Sequence, residues 1–522
     1  MKSDKTKLII VVLILINLTP IWFFKYFPTQ DGSTHIHTAQ AIKDYNKPEY
    51  IKFREYYQIN LSPFPNWSAQ IVLILFMYVF PSLIAEKLLL TVYAVLLPLS
   101  VIYMINGVNE RKSYFGIPQL MSLLFVHNFL LYMGFYNFVL SLPPCFYALG
   151  YWWRNRDKLK IKQALILNAL LFSTYFSHIV SYAVLVVLMI MLSFIYLTIE
   201  CVKQYKTVRK LESIASYLIK IAVVLASITP SAVLMYIYLN KSGVSQNYPS
   251  IRELIKALFP IETLYYISKT QKIIAYSVSI LIILLILYTL IHDKLRAKGN
   301  ILEFNLSGKD YFLFSSFTML IIYLAAPSDM AGGGFISNRL ILYPPLLLLP
   351  WISANYQKIV KQVIAGVIIV LCLVNVSMLN YYVWKFNGVM QEFVSGVDLV
   401  GNDNAIIGLM RNRMGWFLRV EPYAGGTNYY CIDRRNVNLV NYQANLIYFG
   451  INFKPNLNRP DIATLAYEPQ KLDFGNYAKD VPYIVAWGLA DNSDIEKNVL
   501  SYYKLIMRTD NLKIYESYRK AS

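Results

Sequence analysis

The stretch "FPTQDGSTHIHTAQAI" (27–42) sets an acid, Asp31, four residues ahead of an imidazole, His35. A helix starting there would put both on one face. Asp31 then has the chemistry of a general base, and Asp31 with His35 that of a cation site. A structural role competes, because Asp31 or Ser33 could simply cap the helix "THIHTAQAIKDY". Four further residues have side chains suited to binding a substrate. His178 lies in "TYFSHIV" and Asn137 in "MGFYNFVLSLPP". A lone histidine also serves as a packing residue, and aromatic stripes also serve as interfacial belts. "SDMAGGGFISNRL" combines Asp329, the run Gly332–Gly334 and Arg339 at the mouth of the next helix. An arginine at a helix start opposes the dipole. Its planar fork suits a phosphate, with interfacial anchoring as the competing role.

These residues are embedded in a chain of 522 residues that is 56% hydrophobic and 15% charged, with a mean hydropathy of +0.42. So little charge at this length points to a polytopic membrane protein. Apolar runs near the ~20 residues needed to cross a bilayer recur through the first three quarters. The net charge of +19 comes from short clusters between those runs, a pattern that sets membrane orientation rather than binding nucleic acid. The N-terminal "MKSDKTKLIIVVLILINLTPIWFFKYF" reads as a retained signal anchor, since its apolar stretch exceeds an h-region of ~7–15 residues. Cys145, Cys201, Cys372 and Cys431 share no motif spacing and suggest neither a metal cluster nor a disulfide framework.

The basic clusters imply a topology. Lys2, Lys5 and Lys7, "NERK" (109–112), "RNRDKLKIK" (154–162), "KQYKTVRK" (203–210), "HDKLRAK" (292–298) and Lys358 with Lys361 all belong in the cytoplasm. The outer turns then fall near 132–137, 175–180, 240–271 and 326–338, and all but the mixed-charge 240–271 loop are nearly free of Lys and Arg. Charge parity requires that only one of the runs 67–84 and 88–107 crosses. The first, interrupted by Pro81, is assigned to the outer interface or a re-entrant path. About eleven spans result, with the N-terminus cytoplasmic and the C-terminus outside.

From about residue 384 the texture turns polar. "NAIIGLM" (404–410), "DVPYIVAWG" (480–488) and "YYKLIMRTDNLKIYE" (502–516), the last with a turn at "TDN", read as strands. The expected fold class is a polytopic α-helical membrane domain over 1–383, with interfacial helices in the outer loop 28–87. A small extracytoplasmic α/β or α+β domain follows over 384–522.

A basic first helix, an acid just after it in "QDGSTH", interfacial segments, many spans and an outer α/β domain together resemble the GT-C superfamily of membrane glycosyltransferases. The resemblance covers the layout of nearly the whole chain, and its sequence motif is one acid. It implies a cell-membrane enzyme that moves a sugar from a polyprenyl-phosphate-linked donor to a glycan, lipid or protein acceptor on the outer face. By the same resemblance Asp31 takes the place of the catalytic base in an inverting displacement, and Arg339 becomes a candidate for the donor phosphate. A divalent cation, Mg or Mn, would fall to Asp31 with His35 or Asp329, because "LLYMGFYNF" lacks the second acid that several members carry. No "WWD"-type motif is present, which argues against N-linked oligosaccharyl transfer. The rival expectation is a transporter or flippase without covalent chemistry, which would place ionisable residues near mid-membrane and carry internal repeats.

Overall fold

The computed structural model describes residues 3–111, 116–157, 159–208, 214–241, 247–291, 307–330, 333–353 and 356–519. The basic cluster "HDKLRAK" and Gly332 lie outside the described residues. The chain divides into two compact units. The first comprises Met1–Leu18, Val92–Leu130 and Asn137–Ser377, and the second Thr19–Thr91, Leu131–Tyr136 and Met378–Ser522. The second unit therefore holds more than the 384–522 stretch marked out by composition, because it also takes in all of residues 28–87.

Against the eleven expected crossings, five helices among the described residues are long and apolar enough to cross a membrane. They are Ser82–Val108, Ile179–Cys201, Leu218–Lys241, Lys269–Thr289 and Lys358–Val400. The other apolar stretches are shorter, broken or more polar. The first ends at Asn17. The 117–132 run is split among three short pieces, Ile117–Met121, Ser122–Phe125 and Phe129–Tyr132. The 336–348 run divides into Ile336–Leu340 and Tyr343–Leu348, the latter with Pro344 and Pro345 in its first turns. Proline lacks the amide needed to continue a helix inward from its first turn.

Residues 67–84 contain a helix shorter than a bilayer crossing. Their helix, Ser68–Met77, has ten residues, about 15 Å of rise against a hydrocarbon core of about 30 Å. The following apolar helix starts at Ser82 rather than at 88, so it includes Glu86 and Lys87.

Among the described residues seven strands form two sheets, all in the second unit: β1 (Tyr57–Ile59), β2 (Ala405–Met410), β3 (Val437–Asn438), β4 (Ile451–Phe453), β5 (Tyr483–Trp487), β6 (Tyr503–Arg508) and β7 (Leu512–Ser517). The five-stranded sheet runs β3-β2-β5-β7-β6. Its β2 is parallel to β3 and β5, while β7 is antiparallel to β5 and β6. Every residue of β2 and β5 is buried, the pattern of strands covered on both faces. The three strand-forming segments expected from sequence are thus present, and Thr509–Asn511 is the β6–β7 turn, closed by the Thr509 amide on the Leu512 carbonyl at 2.8 Å. The small sheet pairs β1, from the first loop, antiparallel with β4. Phe53 and Tyr57 consequently share one apolar core with Ile407, Leu409, Ile484 and Tyr515.

Candidate functional site

The helix Gly32–Asp44 is nearly neutral in hydropathy, yet it is buried along most of its length. Burial of so polar a helix is affordable only if its side chains find partners, and residues 425–441 supply them. Ser33 Oγ donates to the Gly425 carbonyl at 2.8 Å. Thr34 Oγ1 accepts from Asn428 Nδ2 at 2.8 Å, and Thr38 Oγ1 from Asn441 Nδ2 at 3.3 Å. Gln40 donates to the Arg434 carbonyl at 3.0 Å and accepts from the Asp433 amide at 2.9 Å.

Asp31 occupies the N-cap position of this helix, but its side chain makes no capping hydrogen bond. The cap role expected for that carboxylate is therefore not the one it plays. Its carboxyl is instead hydrogen-bonded by Tyr442 and Gln30. Burial raises its pKa from 3.8 to about 7; the Tyr442 and Gln30 bonds offset part of that rise, and the nearby Glu421 charge adds to it. Glu421 is itself paired with Arg413 at 3.3 Å. Asp31 keeps a partly exposed surface. A carboxyl that exchanges its proton near neutrality is suited to general acid–base work.

The turn that presents Asp31 is tightly built. The Gln30 and Asp31 amides donate to the carbonyls of Tyr132 and Met133 at 3.0 and 3.2 Å. Gly134 adopts φ +75°, and a Cβ there would come within 2.7 Å of the Asp31 nitrogen. A Cβ on Gly32 would meet Thr29 Oγ1 at 2.1 Å, the Tyr136 hydroxyl at 2.4 Å and Glu86 Oε1 at 2.6 Å. Those three side chains are joined: Thr29 Oγ1 lies 3.1 Å from the Tyr136 hydroxyl, which donates to Glu86.

His35 is turned to other work than metal binding. Gln70 Nε2 meets its Nδ1 at 3.3 Å, the ring bonds the Gly134 carbonyl, and it stacks on Tyr136 at 5.2 Å. Burial, only partly offset by that carbonyl, lowers its pKa to about 3, so the ring stays neutral. Among the described residues no three His, Cys, Asp or Glu side chains converge as a metal set. The Asp31–His35 pair does not fit a resident cation, because the imidazole is already committed to protein partners.

The other sequence candidates belong to the first unit. His178 ends the helix Ile161–Ser177 and accepts the Val180 amide at 3.2 Å. Burial, with Arg339 nearby, holds it well below its ordinary pKa. Its ring meets Phe138 edge-on at 5.3 Å, and the Arg339 guanidinium stands 5.6 Å from the same ring. Asn137, next to Phe138, is buried. Arg339 is also buried, donates to the Gly334 carbonyl, and lies in the last turn of the short helix Ile336–Leu340. The helix that Arg339 was expected to open is only five residues long, and the guanidinium reaches back past its N-cap, Phe335, to Gly334. Asp329 accepts from Ser328 Oγ at 3.2 Å and its backbone pairs with Asn247. His178 and Arg339 are thus brought together around Phe138.

Tyr442, Gln30, Glu421, Tyr136 and Glu86 were not singled out from sequence. Glu86 alone carried a signal, as an acid inside the apolar run "LIAEKLLL". Tyr442 and Glu421 are reached only through the fold. No protein-family model matches the chain, and no curated protein matches it.

Proposed function

We propose that the chain is a multi-pass membrane glycosyltransferase with Asp31 as its base. It moves a sugar from a polyprenyl-phosphate-linked donor to a glycan, lipid or protein acceptor. The observation that carries the reading is the state of Asp31. It is an acid at a helix N-cap that does not cap, is held by Tyr442 and Gln30, and has a pKa of about 7.

In the proposed step an acceptor hydroxyl oxygen attacks the anomeric carbon of the donor sugar. The bond from that carbon to the phosphate oxygen breaks, and the configuration inverts. Asp31 takes the hydroxyl proton, and the polyprenyl phosphate leaves with the bonding electrons. Within the first unit, Arg339, whose guanidinium donates to the Gly334 carbonyl and stands over the Phe138 ring, is proposed on its own chemistry as a phosphate-binding group. No step is assigned to a metal ion. In this reading the N-terminus is cytoplasmic and the strand-bearing unit lies outside the cell membrane.

The test is transfer from a panel of polyprenyl-phosphate sugars by the purified chain in nanodiscs, together with mass spectrometry of envelope glycans and glycolipids with and without the protein. Product formation lost in Asp31→Asn but kept in a neighbouring control such as Ser33→Ala is the expected outcome. Equal turnover by Asp31→Asn and the parent would end the proposal.

A further inference from the structure

Between two of the long apolar helices, Leu218–Lys241 and Lys269–Thr289, stands a short helix, Ile251–Leu258. Ser250 and Glu253 close its first turn reciprocally. The Glu253 amide donates to Ser250 Oγ at 3.3 Å, and the Ser250 amide donates to the Glu253 carboxylate at 3.2 Å. Such a box satisfies two amides that an isolated helix end leaves open. This matters for a helix of only eight residues, since short helices rarely hold by propagation alone.

One edge of this helix is seated on the first unit. Leu254 is 4% exposed, its carbonyl accepts from the Tyr323 hydroxyl at 2.8 Å, and Phe259 packs edge-on against Tyr276 at 5.5 Å. The adjacent edge is bare: Ile251 is 65% exposed and Ile255 55%, and Phe259, just past the helix end, leaves 45% of its surface exposed beside its Tyr276 contact. At about 3.6 residues per turn, Ile251 and Ile255 stand beside Leu254 on the helix circumference. Arg252 and Lys256 come next, and Glu253 lies opposite Ile251. The order around the helix is therefore protein contact, bare apolar edge, cations, then acid.

An exposed apolar edge bordered by cations is the arrangement of a helix lying in the plane of a bilayer surface. In sequence it lies between the ends of the two long helices, Lys241 and Lys269. We propose that Ile251–Leu258 is an in-plane membrane helix whose partner is the phospholipid surface. Ile251, Ile255 and Phe259 enter the boundary between headgroups and acyl chains, Arg252 and Lys256 meet lipid phosphates, and Glu253 faces water. The inference rests on reading the chain as a membrane protein and goes beyond it by giving the 240–271 loop a lipid contact of its own.

The test uses the full chain in nanodiscs of mixed phosphatidylglycerol and phosphatidylethanolamine. Cys201 is replaced by serine, since the other three cysteines are buried. Nitroxide labels are placed one at a time at Ile255→Cys, Glu253→Cys and Leu284→Cys. Leu284 lies within the long helix Lys269–Thr289 and is 57% exposed, so it reports the membrane reading independently. Expected is a label at 255 that meets oxygen far more than a water-soluble nickel chelate, at a depth of roughly 5–10 Å, with a label at 253 open to the chelate. A lipid-facing 284 with a chelate-accessible 255 overturns the in-plane helix and leaves the membrane reading standing. A label at 255 shielded from both reagents also overturns it, because protein rather than lipid then covers the edge. A chelate-accessible 284 overturns both.

Discussion

The Asp31 and Arg339 neighbourhoods were both picked out by residue type, yet they acquire their character differently. Arg339 is oriented by a carbonyl five positions back, and its guanidinium is charged at any working pH. Asp31 is held by Tyr442 and influenced by Glu421, both from the far end of the chain. That enclosure changes what the residue is, from an acid ionised above 3.8 to one that titrates near 7. Contacts that aim an always-charged guanidinium leave its charge as it is; burial of a carboxyl also retunes it.

The comparison breaks most decisively at Asp31. Asp31→Asn should lower product formation by at least about a hundredfold, the low end of what a general base supplies, measured as initial rate in nanodiscs. Stability should move the other way. The folded protein binds the Asp31 proton more tightly than the unfolded chain, so this contribution is intact below pH 3.8 and is lost as pH rises to about 7. At about 1.4 kcal/mol per pH unit, the ionised group costs the fold at most about 4 kcal/mol above neutrality. Asp31→Asn should therefore melt later than the parent at pH 8, and by less at pH 5. A variant that melts earlier and keeps its rate would make Asp31 a structural residue.

Arg339 gives the next effect. Arg339→Ala should weaken donor binding by about ten- to a hundredfold, the range of a hydrogen bond to a charged group. Arg339→Lys should fall between Ala and the parent, because it keeps charge and loses the fork. Titration calorimetry with a donor analogue decides this, and unchanged affinity in both variants would return Arg339 to a packing role.

Tyr442→Phe sharpens the long-range half of the comparison. The hydroxyl favours the Asp31 carboxylate, so removing it should move the acidic limb of the rate profile to higher pH by about one unit. The parent limb should have its midpoint near 7, with rate rising as pH rises. A limb that stays in place in Tyr442→Phe would mean that this contact does not tune the acid.

The smallest contrast compares two glycines. A Cβ at Gly32 would lie 2.1 Å from Thr29 Oγ1, whereas one at Gly334 has its nearest neighbour, Asp329 Oδ1, at 3.5 Å. Gly32→Ala should lower stability by about 1–3 kcal/mol, as overpacking does, and Gly334→Ala by no more than about 0.5 kcal/mol. Thermal melts of the two, read side by side, test whether the Asp31 turn is as close-packed as its contacts indicate.

Much was legible in the residues themselves. Runs of apolar residues mark long helices because a bilayer-length helix needs nothing but continuous hydrophobicity. The strands at 404–410, 480–488 and 502–516 are visible because buried strands are short apolar runs bounded by turn residues. Asp31 stands out because acids are scarce near the ends of apolar segments. The count of long helices was less legible, since Pro344, Pro345 and the 117–132 breaks interrupt runs that hydropathy alone treats as continuous.

What the amino-acid sequence alone determined is the local part: that long apolar helices precede a strand-bearing C-terminal region, which residues carry titratable or cationic groups, and that a helix follows Asp31. Only the tertiary structure decided that β1 pairs with β4, that the polar first-loop helix is buried against 425–441, and that His35 is committed to Gln70 and Gly134. It also decided that Asp31 meets Tyr442 rather than its own helix amides. The physical reason is that a carboxyl's pKa is set by burial and by the groups around it, and here those groups include Tyr442 and Glu421, which are hundreds of positions away and leave no mark on the local sequence.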